Sequence, residues 1–146
     1  MRRFEVVTEF KSQNIEIPVR ATKSSAGYDF AVAKDTLIKA GEIAKVPTGI
    51  KAYFPPDEFL MLVARSSLPI KKTLMLPNGV GIIDADYYGN EINEGHILVL
   101  LYNFGKADVL LKKGEKIAQG IFINYQITKE KTGFKLRTGG FGSSDS

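Results

Sequence analysis

No cysteine occurs among the 146 residues, which excludes disulfides, thiolate zinc sites and cysteine nucleophiles. Histidine is nearly missing as well. The single one, His96, sits inside an apolar run and cannot alone supply a metal cluster or a Ser-His-Asp triad, so it reads as a structural residue at a strand start. No stretch approaches the roughly 20 apolar residues of a membrane span, and no membrane association is expected. Met1-Arg2-Arg3-Phe4-Glu5 meets charge before any apolar run develops, so nothing resembles a secretory signal. Lacking both cysteine and an export signal, the chain is expected in a reducing cytoplasm. No linker, internal repeat or second domain interrupts it.

What is present is ordinary in amount: 44% hydrophobic and 25% charged residues, in a chain long enough for one domain with a real core. The net charge of +4 is unevenly spread. Residues 1–104 balance 12 Lys/Arg against 12 Asp/Glu, whereas eight basic residues face three acids between Gly105 and Arg137. A solvated, mildly basic surface accounts for most of these lysines; a phosphate-rich partner is the sharper reading. Charge alone does not separate a nucleotide from a nucleic acid.

Short strand signals recur between turns. Ala26–Ala33 alternates with period two, Lys39-Ala40-Gly41-Glu42 and Lys112-Lys113-Gly114-Glu115 are turns before new apolar runs, and Pro55-Pro56-Asp57 is another. Glu58–Ala64, His96–Tyr102 and Lys116–Tyr125 read as strands. Such a pattern predicts an all-β sandwich or barrel. One helix is expected, starting near Ser66 or Ser67, where a serine can cap the first turn and Pro69 is tolerated. The tail from Thr138 to Ser146 is too poor in apolar residues to fold by itself. Its glycines, Gly139, Gly140 and Gly142, cannot form a Walker or dinucleotide loop, because no helix can follow them.

Two clusters could carry chemistry. Asp84 and Asp86 lie two apart after the apolar run Val80–Ile83, and on a continuing strand they would face one side, as an acid/base pair or as solvated charges. Arg65-Ser66-Ser67 is either a capped helix start or an anion cradle.

Read in order, five segments resemble the motifs of the trimeric dUTPase family: Ala26-Gly27-Tyr28-Asp29-Phe30, Ala64-Arg65-Ser66-Ser67-Leu68-Pro69, the long segment Asn78–Gly89, Gly114-Glu115-Lys116-Ile117-Ala118-Gln119-Gly120, and the tail Arg137–Ser144. The second and third look most like versions from Gram-positive bacteria and their phages. The resemblance implies a jelly-roll-like β-clip fold over residues 1–136, and a C-terminal arm, 137–146, closing over a neighbouring subunit's site. It implies a homotrimer whose three active sites each draw on all three subunits. The implied reaction is Mg2+-assisted hydrolysis of dUTP to dUMP and pyrophosphate, which keeps uracil out of DNA and supplies dUMP for dTMP synthesis.

Roles follow from the same resemblance. Asp84 matches the carboxylate that orients and deprotonates a water aimed at the α-phosphorus. The segment Asn78–Tyr87 is expected to form a β-hairpin in which Asn78, Gly81, Ile82 and Ile83 read the uracil edge and Tyr87 packs on the deoxyribose. Arg65, Ser66, Ser67 and Gln119 match phosphate contacts, and Asp29 an acid that meets Mg2+ through water. In the arm, Phe141 would stack on uracil while Arg137, Gly142, Ser143 and Ser144 grip the terminal phosphates. Here the chain departs from the family: Thr138 stands where a glycine is usual, Arg137 and Phe141 are four apart rather than five, and Asp145 replaces a closing glycine. Arg137 then reaches its phosphate from another angle, or Lys135 shares the task. Asn90–Gly95 is longer than the usual link and is expected near the mouth of the site.

Two rival functions remain open to such a sequence. dCTP deaminase is similar in fold and has a comparable Arg-Ser-Ser segment, but needs a glutamate where this chain has Leu100. Leucine cannot activate water. A regulatory binding protein on the same scaffold is the second, with the Asn90–Gly95 loop as a partner surface. Direct nucleic-acid binding ranks lower, since no basic helix or interleaved aromatic stripe appears.

Overall fold

Alternation with period two decides which side of each strand is buried, and twelve short strands follow from it. The computed structural model describes residues 1–130, 133, 134 and 136–140. In chain order the strands are β1 (Arg3–Val6), β2 (Val19–Arg20), β3 (Tyr28–Ala31), β4 (Thr36–Ile38), β5 (Ile43–Pro47), β6 (Ile50–Tyr53), β7 (Glu58–Ala64), β8 (Leu74–Met75), β9 (Gly81–Asp84), β10 (Leu98–Asn103), β11 (Val109–Leu111) and β12 (Lys116–Asn124). One helix, α1 (Ser67–Lys72), and two 3-10 turns, Thr8–Phe10 and Ala85–Tyr87, complete the described elements. The expected all-β, jelly-roll-like class with one short helix is what forms.

The largest sheet has the order β2-β3-β12-β7-β9, and a second has β5-β10-β8; β1-β6 and β11-β4 form two-stranded ribbons. Neighbours are antiparallel throughout and mostly distant in sequence. Phe30, Leu60, Leu62 and Ile117 from the large sheet bury against Val46, Leu74, Val99 and Leu101 from the second, with Ile38, Ile50 and Leu111 closing the ends of one core. Full burial of side chains of this size contributes about 1.5–3 kcal/mol each. Buried Asn103 fastens the loops beneath: its Nδ2 donates to the carbonyls of Ile38 and Ala107, and its Oδ1 accepts from Gly105 N–H.

The opposite face of the large sheet is different. Phe59, Met61 and Val63 of β7 and Ile121 and Ile123 of β12 alternate out of the core, with Ile82 of β9 beside Met61. They leave an apolar band half exposed to solvent. Asp29 and Gln119 stand at one corner of this face, and Asp84 at another.

Two local expectations fail. Residues 78–87 do not pair with each other as a hairpin: β8 pairs with β10, β9 pairs with β7, and the chain then turns through the 3-10 segment. The long-range edge of β7 outcompetes the local pairing. At α1 the N-cap position is indeed Ser66, but it has helical backbone angles and its hydroxyl makes no cap bond. The Leu68 N–H instead bonds the Arg65 carbonyl, so the serine hydroxyl is left for something outside the helix.

Candidate active site

Strand β9 ends at Asp84 and borders a cleft of about 330 Å³, within the range of small-molecule sites. Asn78, Gly81, Ile82, Ile83, Asp84 and Tyr87 all line it. All six residues expected to face the nucleoside or the attacking water therefore share one cavity. Leu100 of β10 lines it too, so the position that decides against deamination lies in the cleft and is apolar.

Tyr87 forms one wall and is only 8% exposed. Its hydroxyl donates to the His96 carbonyl at 2.6 Å and accepts from Asn93 Nδ2 at 2.8 Å. Burial holds the phenol above its usual range, so it stays protonated as a donor at neutral pH. His96 is structural, as expected: its Nε2 accepts the Gly49 N–H at 2.9 Å, and burial lowers its pKa. The acceptor nitrogen requires the neutral ring with its proton on Nδ1.

Asp84 is 55% exposed and its partner is Arg137. The Arg137 Nη2–H donates to Asp84 Oδ2 at 2.5 Å and the Nε–H to Asp86 Oδ1 at 2.7 Å. The two carboxylates do face one side, although the strand stops at Asp84. Arg137 and Gly140 also line the cleft. A methyl on Gly140 would come within 2.6 Å of the Tyr87 ring, and one on Gly139 would collide with Ile92. Glycine is thus favoured where the arm crosses the buried Tyr87 ring, whereas the exposed Ile92 side chain could give way at Gly139. Phe141, Gly142, Ser143, Ser144 and Lys135 lie outside the described residues.

The second cluster lies on β3, β12 and the end of β7. Asp29 pairs in register with Gln119, and its carboxylate faces Arg65 Nε at 3.7 Å and Lys116 Nζ at 3.6 Å. A side chain at Gly27 would collide with Gln119 Oε1, so that glycine gives the amide its place. Ser66 and Ser67 are exposed beside Arg65. Lys116 was not singled out from the sequence, because strict alternation from Gln119 would turn it toward the core. A register shift between Lys116 and Ala118 reverses its side, so Lys116 opposes Ala31 on the Asp29 face while Ile117 is buried. Such a bulge re-aims a side chain. The sign of it was the spacing of Lys116 and Gln119, three apart and out of phase for one strand face.

Among the described residues no three His, Asp or Glu side chains converge on a metal position. Asp29 Oδ2 is buried without a hydrogen-bond partner, with Lys116 Nζ at 3.6 Å, and would accept from the water shell of a cation once that amine turned to phosphate. That donor set fits Mg2+ held by its own waters and by phosphate, and does not fit a bare ion caged by protein.

The two clusters are far apart within one chain. From the Asp29–Gln119–Val63 row to the Phe59–Asp84 row is four residues along β7 and three strand spacings across. That amounts to roughly 13 Å by 14 Å, or about 20 Å on the diagonal.

The family model for dUTPase matches residues 13–145. A relative from Lactococcus lactis, deoxyuridine 5'-triphosphate nucleotidohydrolase, is 46% identical over 146 residues, covering 99% of this chain and 97% of the relative. The dUTPase of Streptococcus mutans superposes with a TM-score of 0.84 at 45% identity, over 88% of this chain and 99% of that one. The dUTPase of phage phi11 of S. aureus shares the fold, with a TM-score of 0.76 at 20% identity over 94% and 99% of the two chains.

Proposed function

The chain belongs to the dUTPase family, and from that premise we propose that it hydrolyses dUTP to dUMP and pyrophosphate, in the cytoplasm, keeping uracil out of DNA and supplying dUMP for dTMP synthesis. The observation that carries this reading is the single cleft shared by Asn78, Gly81, Ile82, Ile83, Asp84 and Tyr87. Backbone groups of β9 and the Asn78 amide read the uracil edge, and Tyr87 lies against the deoxyribose. Leu100 in the same cleft counts against the deaminase reading.

Asp84, on an exposed strand end, orients a water toward the α-phosphorus and takes its proton. An ionised carboxylate is a modest base, so positioning contributes as much as proton affinity. Arg65, Ser66, the Ser67 backbone and Gln119 hold the phosphates, joined by Lys116 on the same face. Asp29 would hold Mg2+ through its water shell, and the ion when bound would supply neutralisation of charge on the phosphates. From the arm, Phe141 stacks on uracil, and Arg137, Gly142, Ser143 and Ser144 grip the terminal phosphates.

A triphosphate spans far less than the roughly 20 Å between Asp29 and Asp84 on one chain. The phosphate cluster of one subunit must therefore meet the Asp84 cleft of another. The apolar band of Phe59, Met61, Val63, Ile121 and Ile123 between the two corners supplies a surface for that contact. A homotrimer with shared sites is the assembly this supports; the start of the arm, residues 137–140, lies over its own chain's cleft in the single chain, and its closing over a neighbour's cleft in the assembly is proposed from the family resemblance alone. A regulatory protein partner at 90–95 finds less support: most of that loop's side chains bond within the subunit, though Ile92 is 72% exposed.

Hydrolysis in 18O-labelled water tests the reaction. Attack at the α-phosphorus puts the label in dUMP; label in pyrophosphate would overturn the assignment.

A further inference from the structure

The loop from Asn90 to Gly95 does more than border the cleft. Asn90 Nδ2 donates to the Tyr87 carbonyl and to Asn93 Oδ1, both at 2.8 Å, and Gly95 N–H donates to the same Asn93 oxygen at 3.1 Å. Two donors on that side fix the orientation of the Asn93 amide. Its Nδ2–H is left for the Tyr87 hydroxyl, which it reaches at 2.8 Å. The hydroxyl in turn donates to the His96 carbonyl at 2.6 Å, and the Asn93 carbonyl accepts the His96 N–H at 3.0 Å. The phenol thus has its donor and acceptor directions both occupied, in a buried place where a lost partner is costly. Rotation of the ring about its hydroxyl end is closed off from both sides.

We infer that Asn93 is a positioning residue for sugar selection: its amide locks the Tyr87 hydroxyl, and thereby holds the ring where it leaves no room for a ribose 2′-hydroxyl. This rests on the reading that Tyr87 faces the sugar of a uridine nucleotide. Asn93 touches no substrate; it acts through Tyr87, and the longer loop exists to deliver it.

The test is Asn93→Asp, which keeps the oxygen that accepts from Asn90 and Gly95 and replaces the donor to Tyr87 by an anionic acceptor that competes with the His96 carbonyl for the Tyr87 proton. Alongside it run Tyr87→Phe and the double variant, each assayed for kcat/KM with dUTP and UTP, for dUMP and UMP binding by calorimetry, and for thermal unfolding. Asn93→Asp should unfold near the wild-type temperature while the dUTP-over-UTP ratio falls roughly three- to tenfold, the size of one buried neutral hydrogen bond. Tyr87→Phe should lower the ratio by a similar factor, and adding Asn93→Asp to it should change the ratio no further. An unchanged ratio in a folded Asn93→Asp, or an equal drop on the Tyr87→Phe background, overturns the inference. So does an unchanged ratio in Tyr87→Phe, however Asn93→Asp folds. A wild-type chain that releases no pyrophosphate from dUTP would sink the functional reading instead, and the dUMP-over-UMP binding ratio, which needs no turnover, would still decide on Asn93.

Discussion

Arg137 lies across Asp84 and Asp86, donating from Nη2 to the first at 2.5 Å and from Nε to the second at 2.7 Å. The guanidinium expected to grip phosphate rests on the carboxylate expected to activate water. Under the proposed function, a triphosphate would offer it a more highly charged bidentate partner, and its transfer would free Asp84. The short spacing between Arg137 and Phe141 is compatible with an arginine that has two stations.

Asp86 is then a rest for the arm and not a base. Asp86→Asn should alter kcat/KM for dUTP by less than about fivefold, since an exposed ion pair contributes under about 1 kcal/mol. Steady-state pyrophosphate release measures it. A collapse of turnover in Asp86→Asn would assign the acid/base work to the pair.

Gly27→Ala should leave folding intact, because the added methyl meets the mobile end of Gln119 and not backbone. Displacing that amide from the phosphate cluster should raise KM for dUTP roughly tenfold with a smaller change in kcat. An unaltered KM would remove Gln119 from the phosphate contacts.

Met61 lies in the middle of the apolar band, opposite Ile121 and Ile82. Met61→Lys would bury an unpaired charge at a subunit contact, at a cost on the order of 3 kcal/mol per interface. If the proposed trimer packs on this band, sedimentation should show a trimer for the wild type and monomers for Met61→Lys, with activity lost alongside. An active monomer would contradict the shared site.

His96 is the only histidine, so its titration can be read in isolation. Burial holds its folded pKa below the ordinary 6.5, and protonation would abolish the acceptor for Gly49 N–H. The unfolded chain therefore binds more protons just below pH 6.5, and stability rises with pH through that window. Denaturant unfolding at fixed protein concentration should lose up to about 1.4 kcal/mol per pH unit as pH falls from 6.5. The carboxylates held low by ion pairs, such as Glu58 against Arg2, contribute their loss in more acid solution. His96→Gln, which keeps an acceptor, should flatten the dependence above pH 5; an unchanged slope would refute it.

Local pattern revealed β7, β10 and β12 and the start of α1, because each depends on alternation or on side-chain types within a few positions; of the cleft it marked only Asp84, and the other lining residues came from the family resemblance. It failed where distant chain decides. The family resemblance implies a hairpin over 78–87, yet β9 finds its partner in β7. Lys116 reaches Asp29 only through a bulge that appears once β12 meets β3. The amide network from Asn90 and Asn93 to Tyr87 needs a folded loop, and a run of polar residues does not announce it. The separation of Asp29 from Asp84 is likewise a property of sheet order, and five motifs read along a line conceal it.

In the proposed reaction this cleft hydrolyses dUTP with Asp84 as the base. Pyrophosphate release from dUTP, dTTP, UTP and dCTP, with Mg2+, by the wild type and by Asp84→Asn, tests it most directly. The account expects rapid release from dUTP alone, and its loss by a factor of about 100 or more in Asp84→Asn. Comparable rates on UTP or dTTP, or near-normal turnover in Asp84→Asn, would contradict it.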